Sequence, residues 1–463
     1  MNRPKAHEET KMTEKTINAM PTKEFFIDML TRDIPLIPAI VDLVDNSADG
    51  ARRMKGNGSY AGLYSRLEVS KNEFRISDNC GGITVEIARK YAFRFGRASG
   101  MPSVKHSIGE FGVGMKRAIF KLGRKFKVES KTTGSRFVVE EDVAKWAQKE
   151  KWEYEFQSVD ENTKVPTEKC GTTITVTNLH DDVSRSFGLE NFKTELVNEL
   201  KASLQDPISR GLKITLNGIP IDAEPFEFLT DEQLAPAYKS LRYGVPPQKP
   251  VNVRLYCGLG KESNPELAGW HVFCNGRLIL EADKTGDTGW VGGKARRNGI
   301  PPGFHPQYNL LRGCAYFDSD DPGSLPWNTT KTGLNTDSPV YRAARIEMMR
   351  LMRPVADFLN RLKAEKADKD DEENAEKGPL EQLVAESASA DVATPRFDRM
   401  TRATFARPTV AAKQVTDGPE MQRIQYDMPR DKVDRVKKAL KVRSFKDVGE
   451  KTFDYYYNAE IED

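Results

Sequence analysis

Long apolar runs are missing from this 463-residue chain. The most apolar early stretch, residues 34–44, is short and broken by Pro35, Pro38 and Asp42. A membrane helix needs ~18 consecutive apolar residues, so no membrane association is expected. The opening Met1-Asn2-Arg3-Pro4-Lys5 leads into charged sequence rather than an apolar core, which argues against a secretory signal. Cysteine is scarce and scattered: Cys80, Cys170, Cys257, Cys274 and Cys314 show no paired spacing. Such a set disfavours a disulfide frame or a zinc site and fits reduced thiols in a cytoplasm. Charge of one sign is missing too. The 71 Lys and Arg against 68 Asp and Glu leave +3, so any basic surface must be local. What is present, 38% hydrophobic and 9% aromatic residues, is ordinary for a globular chain. At ~150 residues per domain, about three units are expected.

The pattern divides the chain. Residues 1–20 read as a polar arm. From 21 to 180 helical and strand periodicities alternate: Phe25, Phe26 and Leu30, then residues 37–51, at helical spacing; 66–69, 74–76, 137–139, 154–156 and 173–176 as strands. A helix at 190–204 carries Phe192, Leu196, Leu200 and Leu204 on one stripe. Over 181–363 strands recur at 213–216, 251–256 and 270–273, the last turning at Asn275-Gly276. Ser338-Pro339 opens a long helix with a kink expected at Pro354. Residues 364–420 read as a linker, with seven acids against two lysines over 365–376 and five basic residues against one acid over 396–413. A small module of strand, helix and helix closes the chain at 421–463.

Three segments carry chemistry. In Asp42-Leu43-Val44-Asp45-Asn46-Ser47-Ala48-Asp49, the side chains of Asp42, Asn46 and Asp49 fall within roughly 60° of each other at about 100° per residue. Carboxylates and an amide on one line are oxygen ligands that magnesium prefers, and an acid among them could activate water. A solvated acidic face would carry the same residues. Next, Ser77-Asp78-Asn79-Cys80-Gly81-Gly82 ends a strand in an acid followed by paired glycines. These let backbone approach a flat ligand, with Asp78 as acceptor for an exocyclic amine; a plain Asx turn is the alternative. Third, Ile108-Gly109-Glu110-Phe111-Gly112-Val113-Gly114-Met115-Lys116 opens a helix with free amides, an anion site strengthened by ten Lys/Arg against one acid over 89–125.

In this order, and with Gly171-Thr172-Thr173 leading a later strand, the segments resemble the GHKL ATPases, the family of gyrase, MutL, MORC, heat-shock ninety and histidine kinases. The resemblance covers residues 25–180 and implies an α/β (α+β sandwich) ATP-binding domain with a lid over about 91–107. It implies ATP and Mg2+ as ligands. Asn46 would hold magnesium, with Asp49 beside it; Asp78, Gly82 and Thr172 or Thr173 would receive adenine. Gly109, Gly112, Val113, Gly114, Met115 and Lys116 would wrap the phosphates. Asp42 stands where the family has a water-activating Glu, which implies slow hydrolysis, with Asp45 as rival base; Cys80 replaces a glycine. A transducer-like α/β domain is expected over 181–363, with Lys331 of the Leu325-Pro326-Trp327-Asn328-Thr329-Thr330-Lys331 loop reaching the terminal phosphate.

The likeness is nearest to bacterial MutL- and MORC-like proteins, a group linked with restriction or phage defence. Only His7 precedes the first motif, which disfavours a histidine kinase, and residues 400–463 hold no His or Cys for a MutL-type metal cluster. The tail resembles a ribbon-helix-helix unit, with Arg423 and Gln425 toward bases, or else a small docking hairpin. Two functions compete. One is an ATP-hydrolysing clamp that forms a homodimer on binding ATP and acts on DNA or a DNA-processing protein. The other is a nucleotide-sensing module with negligible turnover.

Overall fold

Apolar residues at i, i+3 and i+4 make residues 36–55 a buried helix, and the rest of the first layer is built on it. The structure is a computed structural model describing residues 20–56, 58–96, 108–109, 112–224, 226–231, 233–244, 249–290, 303–367, 377–391, 405, 427–442 and 444–461. Helix α1 (Lys23–Arg32) precedes α2 (Leu36–Lys55), which stops at Gly56, where φ is 58°. An eight-stranded sheet follows: β1 (Tyr64–Val69), β2 (Glu73–Asp78), β3 (Gly123–Lys131), β4 (Arg136–Asp142), β5 (Phe156–Asp160), β6 (Gly171–Leu179), β7 (Lys213–Leu216) and β8 (Ile219–Ile221). Its order is β5-β4-β3-β6-β2-β1-β7-β8, antiparallel except for the β1–β7 pair. Short α3 (Val85–Ile87) and α5 (Val143–Ala147) lie in its connections, and α4 (Gly114–Leu122) feeds β3. Ile40, Val44, Leu67, Phe74, Ile76, Phe120, Val128 and Val176 share one core between α2, α4 and the sheet. This is the expected sandwich.

The first layer does not end at residue 180. Helices α6 (Asp181–Phe187), α7 (Glu190–Ser203) and α8 (Gln205–Ser209) lead into β7 and β8, which close the sheet's edge. Leu196, Leu200 and Leu204 are fully buried in the same core, so the stripe read at 190–204 belongs to this layer.

A second sheet runs β10-β11-β14-β12-β13, from β10 (Ala237–Tyr243), β11 (Val251–Leu259), β12 (Gly269–Cys274), β13 (Arg277–Asp283) and β14 (Leu311–Asp318). The 29-residue α9 (Pro339–Ala367) packs on it and continues through Pro354. Asn275 and Gly276, at φ 49° and 80°, form the tight β12–β13 turn.

The linker expectation fails over 377–391. Helix α10 (Pro379–Glu386) buries Leu380 against α9, and its first amides, of Leu380 and Glu381, donate to the Glu365 carboxylate (3.3 and 3.1 Å). The strand β15 (Ala388–Asp391) then pairs antiparallel with β9 (Glu227–Thr230). Counting charge over 365–376 and 396–413 hid the short apolar stripe Leu380, Leu383 and Val384 between them. The chain divides into two compact units, residues 1–409 and 410–463. In the second, helices span Arg430–Leu440 and Phe445–Glu460, the latter opened by a Ser444/Asp447 capping box. The expected strand at 423–428 lies outside the described residues as far as 426, including Arg423 and Gln425, and 427–429 have no regular structure.

Candidate functional site

Helix α2 carries the first part of the site. From Ala39 to Arg52 every residue is buried except Asn46, which is exposed. An amide opening to solvent from the middle of a buried helix has no packing reason. The glycine loop lies along the same line. Both Asp49 carboxylate oxygens accept from the Ile108 amide (2.9 and 3.1 Å), and Asp49 Oδ2 also accepts from the Gly109 amide at 2.9 Å. A Cβ on Gly109 would stand 3.3 Å from Asp49 Oδ2 and 3.9 Å from Asn46 Oδ1; one on Gly114 would stand 3.4 Å from Asp42 Oδ2. Asp42, Asn46 and Asp49 thus each meet the loop or the start of α4. Burial raises the Asp49 pKa, opposed by Arg52 and the two amides.

Gly112, Val113, Gly114 and Met115 are half-buried around this mouth, with Gly112 at φ 64°. Residues 110 and 111, and residues 97–107 of the lid expected over about 91–107, lie outside the described residues. The Lys116 Nζ donates to the carbonyls of Ala92 (2.9 Å) and Gly112. Burial brings its pKa down to about 7.

At the other end, Asp78 Oδ1 accepts from the amides of Cys80 (2.8 Å) and Thr172 (3.3 Å), and Oδ2 from the Ser47 hydroxyl (3.3 Å). Burial raises its pKa against those hydrogen bonds. Thr172 also meets Ser130, Oγ to Oγ, at 3.2 Å. Thr173 instead pairs in the sheet with Ser77 and Glu129, so Thr172 is the threonine brought to Asp78. Glycine is required here. Gly82 sits at φ 70° with a Cβ position 2.2 Å from the Lys131 carbonyl oxygen, and a Cβ on Gly171 would fall 1.9 Å from that of Asp78. Gly50 brings α2 within 2.6 Å of the Cys80 carbonyl by the same measure.

A buried charge cluster joins this layer to the second sheet. Lys331, at φ 55° in an inward-turned loop closed by Asn328 N to the Gly333 carbonyl (2.9 Å), places Nζ 3.0 Å from both Asp42 Oδ1 and Asp45 Oδ2. Asp42 Oδ2 accepts from Arg117 at 2.6 Å, and Arg277 Nη1 lies 3.6 Å from Asp45 Oδ1. Burial would raise the Asp42 pKa, but Lys331 and Arg117 outweigh it and hold it below the usual range. Both Asp42 oxygens are therefore engaged, and one must be released before it could take a proton. Sequence reasoning reached Asp42, Asp45 and Lys331 but missed Arg117, Arg277, Ser47 and Ser130. Arg117 is one more basic residue in a basic stretch, and Arg277 merely follows a turn; neither has a local signal.

The fit to a nucleotide follows from these contacts. Gly82 and Gly171, which have no room for a Cβ, keep backbone close at the base end, and the glycine loop lies beside Asn46 at the phosphate end of the same helix. Among the described residues no three His, Cys, Asp or Glu side chains converge on a metal site. A magnesium at Asn46 would take its remaining oxygens from phosphate and water, as Mg2+ commonly does. Among the described residues no helix is long and apolar enough to cross a membrane. Residues 34–172 match the family described as histidine kinase-, DNA gyrase B- and HSP90-like ATPase, and this supports a GHKL-type ATPase domain over that segment. No curated protein matches the chain.

Proposed function

We propose that this chain binds magnesium ATP through Asn46 and uses the bound state to set the contact between its two sheets. The observation that carries the reading is Asn46, the lone exposed residue in a helix buried from Ala39 to Arg52, with the glycine loop beside it. Asn46 would hold the metal, Asp78 with Thr172 and Gly82 the adenine, and Gly109 with 112–115 the phosphates. ATP hydrolysis is the activity that the family match supports. An ATP-gated homodimeric clamp of the MutL or MORC kind, acting on DNA or a DNA-processing partner and serving in restriction or phage defence, is the finer form of the proposal. It rests on the order of motifs. Calorimetry with Mg-ATP tests the core of it: Asn46→Ala is expected to weaken binding more than tenfold, and equal affinity removes the assignment.

A second reading has its own observation. With both Asp42 oxygens in ion pairs, turnover needs a rearrangement, which favours a nucleotide-sensing module with negligible hydrolysis. A phosphate-release rate at background in both the wild type and Asp42→Asn selects that reading.

A further inference from the structure

The buried cluster is unbalanced. Among the described residues Arg117, Lys331 and Arg277 face only Asp42 and Asp45, one positive charge in excess, while neighbouring Arg52 is matched by Asp49 at 3.3 Å and Asp206 at 3.9 Å. The excess falls on Arg277. Its side chain is 2% exposed, and its Nε and Nη1 have no hydrogen-bond partner among the described residues. At 3.6 Å its approach to Asp45 is too long for a hydrogen bond. The other two cations each make hydrogen bonds, Lys331 to both carboxylates and Arg117 to Asp42 and, at 3.4 Å, the Thr329 carbonyl, with the Arg117 Nε left over, whereas Arg277 has two such donors and no hydrogen bond to either carboxylate. A guanidinium stripped of water with unspent donors is costly unless an anion shares the site. From the start of β13 it lies one carboxylate away from Lys331, and that carboxylate, Asp45, directly precedes Asn46 on α2.

From this imbalance we infer that Arg277 is a specificity-determining residue: it is a second cation, beside Lys331, for the terminal phosphate, and it makes the site prefer a nucleoside triphosphate to a diphosphate. The inference rests on the nucleotide reading above. The diphosphate leaves the cluster one negative charge short; the triphosphate's last group supplies it, and the planar guanidinium suits it better than a point charge does.

The test is calorimetry on the full chain with magnesium, comparing ADP with the non-hydrolysable β,γ-imido analogue of ATP. In Arg277→Gln the preference for the analogue is expected to fall roughly 10- to 100-fold, the effect of one charge-assisted hydrogen bond, with ADP affinity within about twofold of wild type. An unchanged preference overturns the inference while leaving nucleotide binding standing. A wild type that binds neither ligand overturns the nucleotide reading and this inference with it. Should Arg277→Gln fail to fold by circular dichroism, Asp45→Asn decides. Removing that carboxylate raises the excess charge, so the preference should grow several-fold; a preference that stays level or drops overturns the inference.

Discussion

Lys116 carries two demands at one side chain. Its amine is buried over carbonyls of Ala92 and Gly112, and burial brings its pKa to about 7. The folded value lies below the unfolded one of ~10.4, so between pH 7 and 10.4 the unfolded chain binds more protons and this group favours folding as pH rises. A phosphate beside it would favour the ammonium. If Lys116 serves the phosphates, nucleotide binding at pH 8 should take up a fraction of a proton, seen as a heat that differs between buffers of unequal ionisation enthalpy. Lys116→Met should abolish the difference. Equal heats in wild type would mean that Lys116 supports the loop from behind and meets no phosphate.

At the scale of elements, the Asp78 turn depends on close backbone approach. Gly171 opens β6 directly over the end of β2, and a Cβ there would overlap the Asp78 carbonyl oxygen at 1.9 Å. Gly171→Ala must therefore spread β2 from β6 and is expected to cost about 1–3 kcal/mol or more in urea denaturation, with nucleotide affinity lost as well. Gly134→Ala, with nothing within 4 Å of the new Cβ, is the control and should stay within about 0.5 kcal/mol. Equal stability of the two variants would disprove the close approach. The glycine spacing was legible in the sequence because it is local; the partner carbonyls were not, since β2 and β6 are ninety residues apart.

For the whole molecule, the cluster around Asp42 and Asp45 decides how the sheets meet. Losing Lys331 as Lys331→Met leaves two cations facing two carboxylates. Losing Asp42 as Asp42→Asn leaves three cations on one. Breaking a buried pair by removing one partner typically costs 3–5 kcal/mol, because the other charge stays behind unpaired. The ligand-free Asp42→Asn chain should reach that range in urea denaturation and Lys331→Met should lose clearly less. Equal losses would mean that the excess charge is already neutralised elsewhere.

The sequence by itself determined what neighbouring residues decide: the acid-x-x-x-Asn line on α2, the strand ending at Asp78, the glycine loop opening α4, and the long helix beginning at Pro339. These follow from periodicity and backbone freedom within a dozen residues. For Lys331, likeness to other proteins suggested a role at the terminal phosphate, while its contacts with Asp42 and Asp45 had no signal in the sequence. The tertiary structure alone decided which cations share Asp42 and Asp45, that Asn46 stays exposed while its neighbours are buried, and that 379–391 folds back on α9 and β9 instead of remaining linker. Each of those outcomes depends on burial and charge pairing between segments up to 289 residues apart. Such pairing leaves no trace in local composition, since a lysine, an arginine and an aspartate read the same on a surface loop as in a sealed joint.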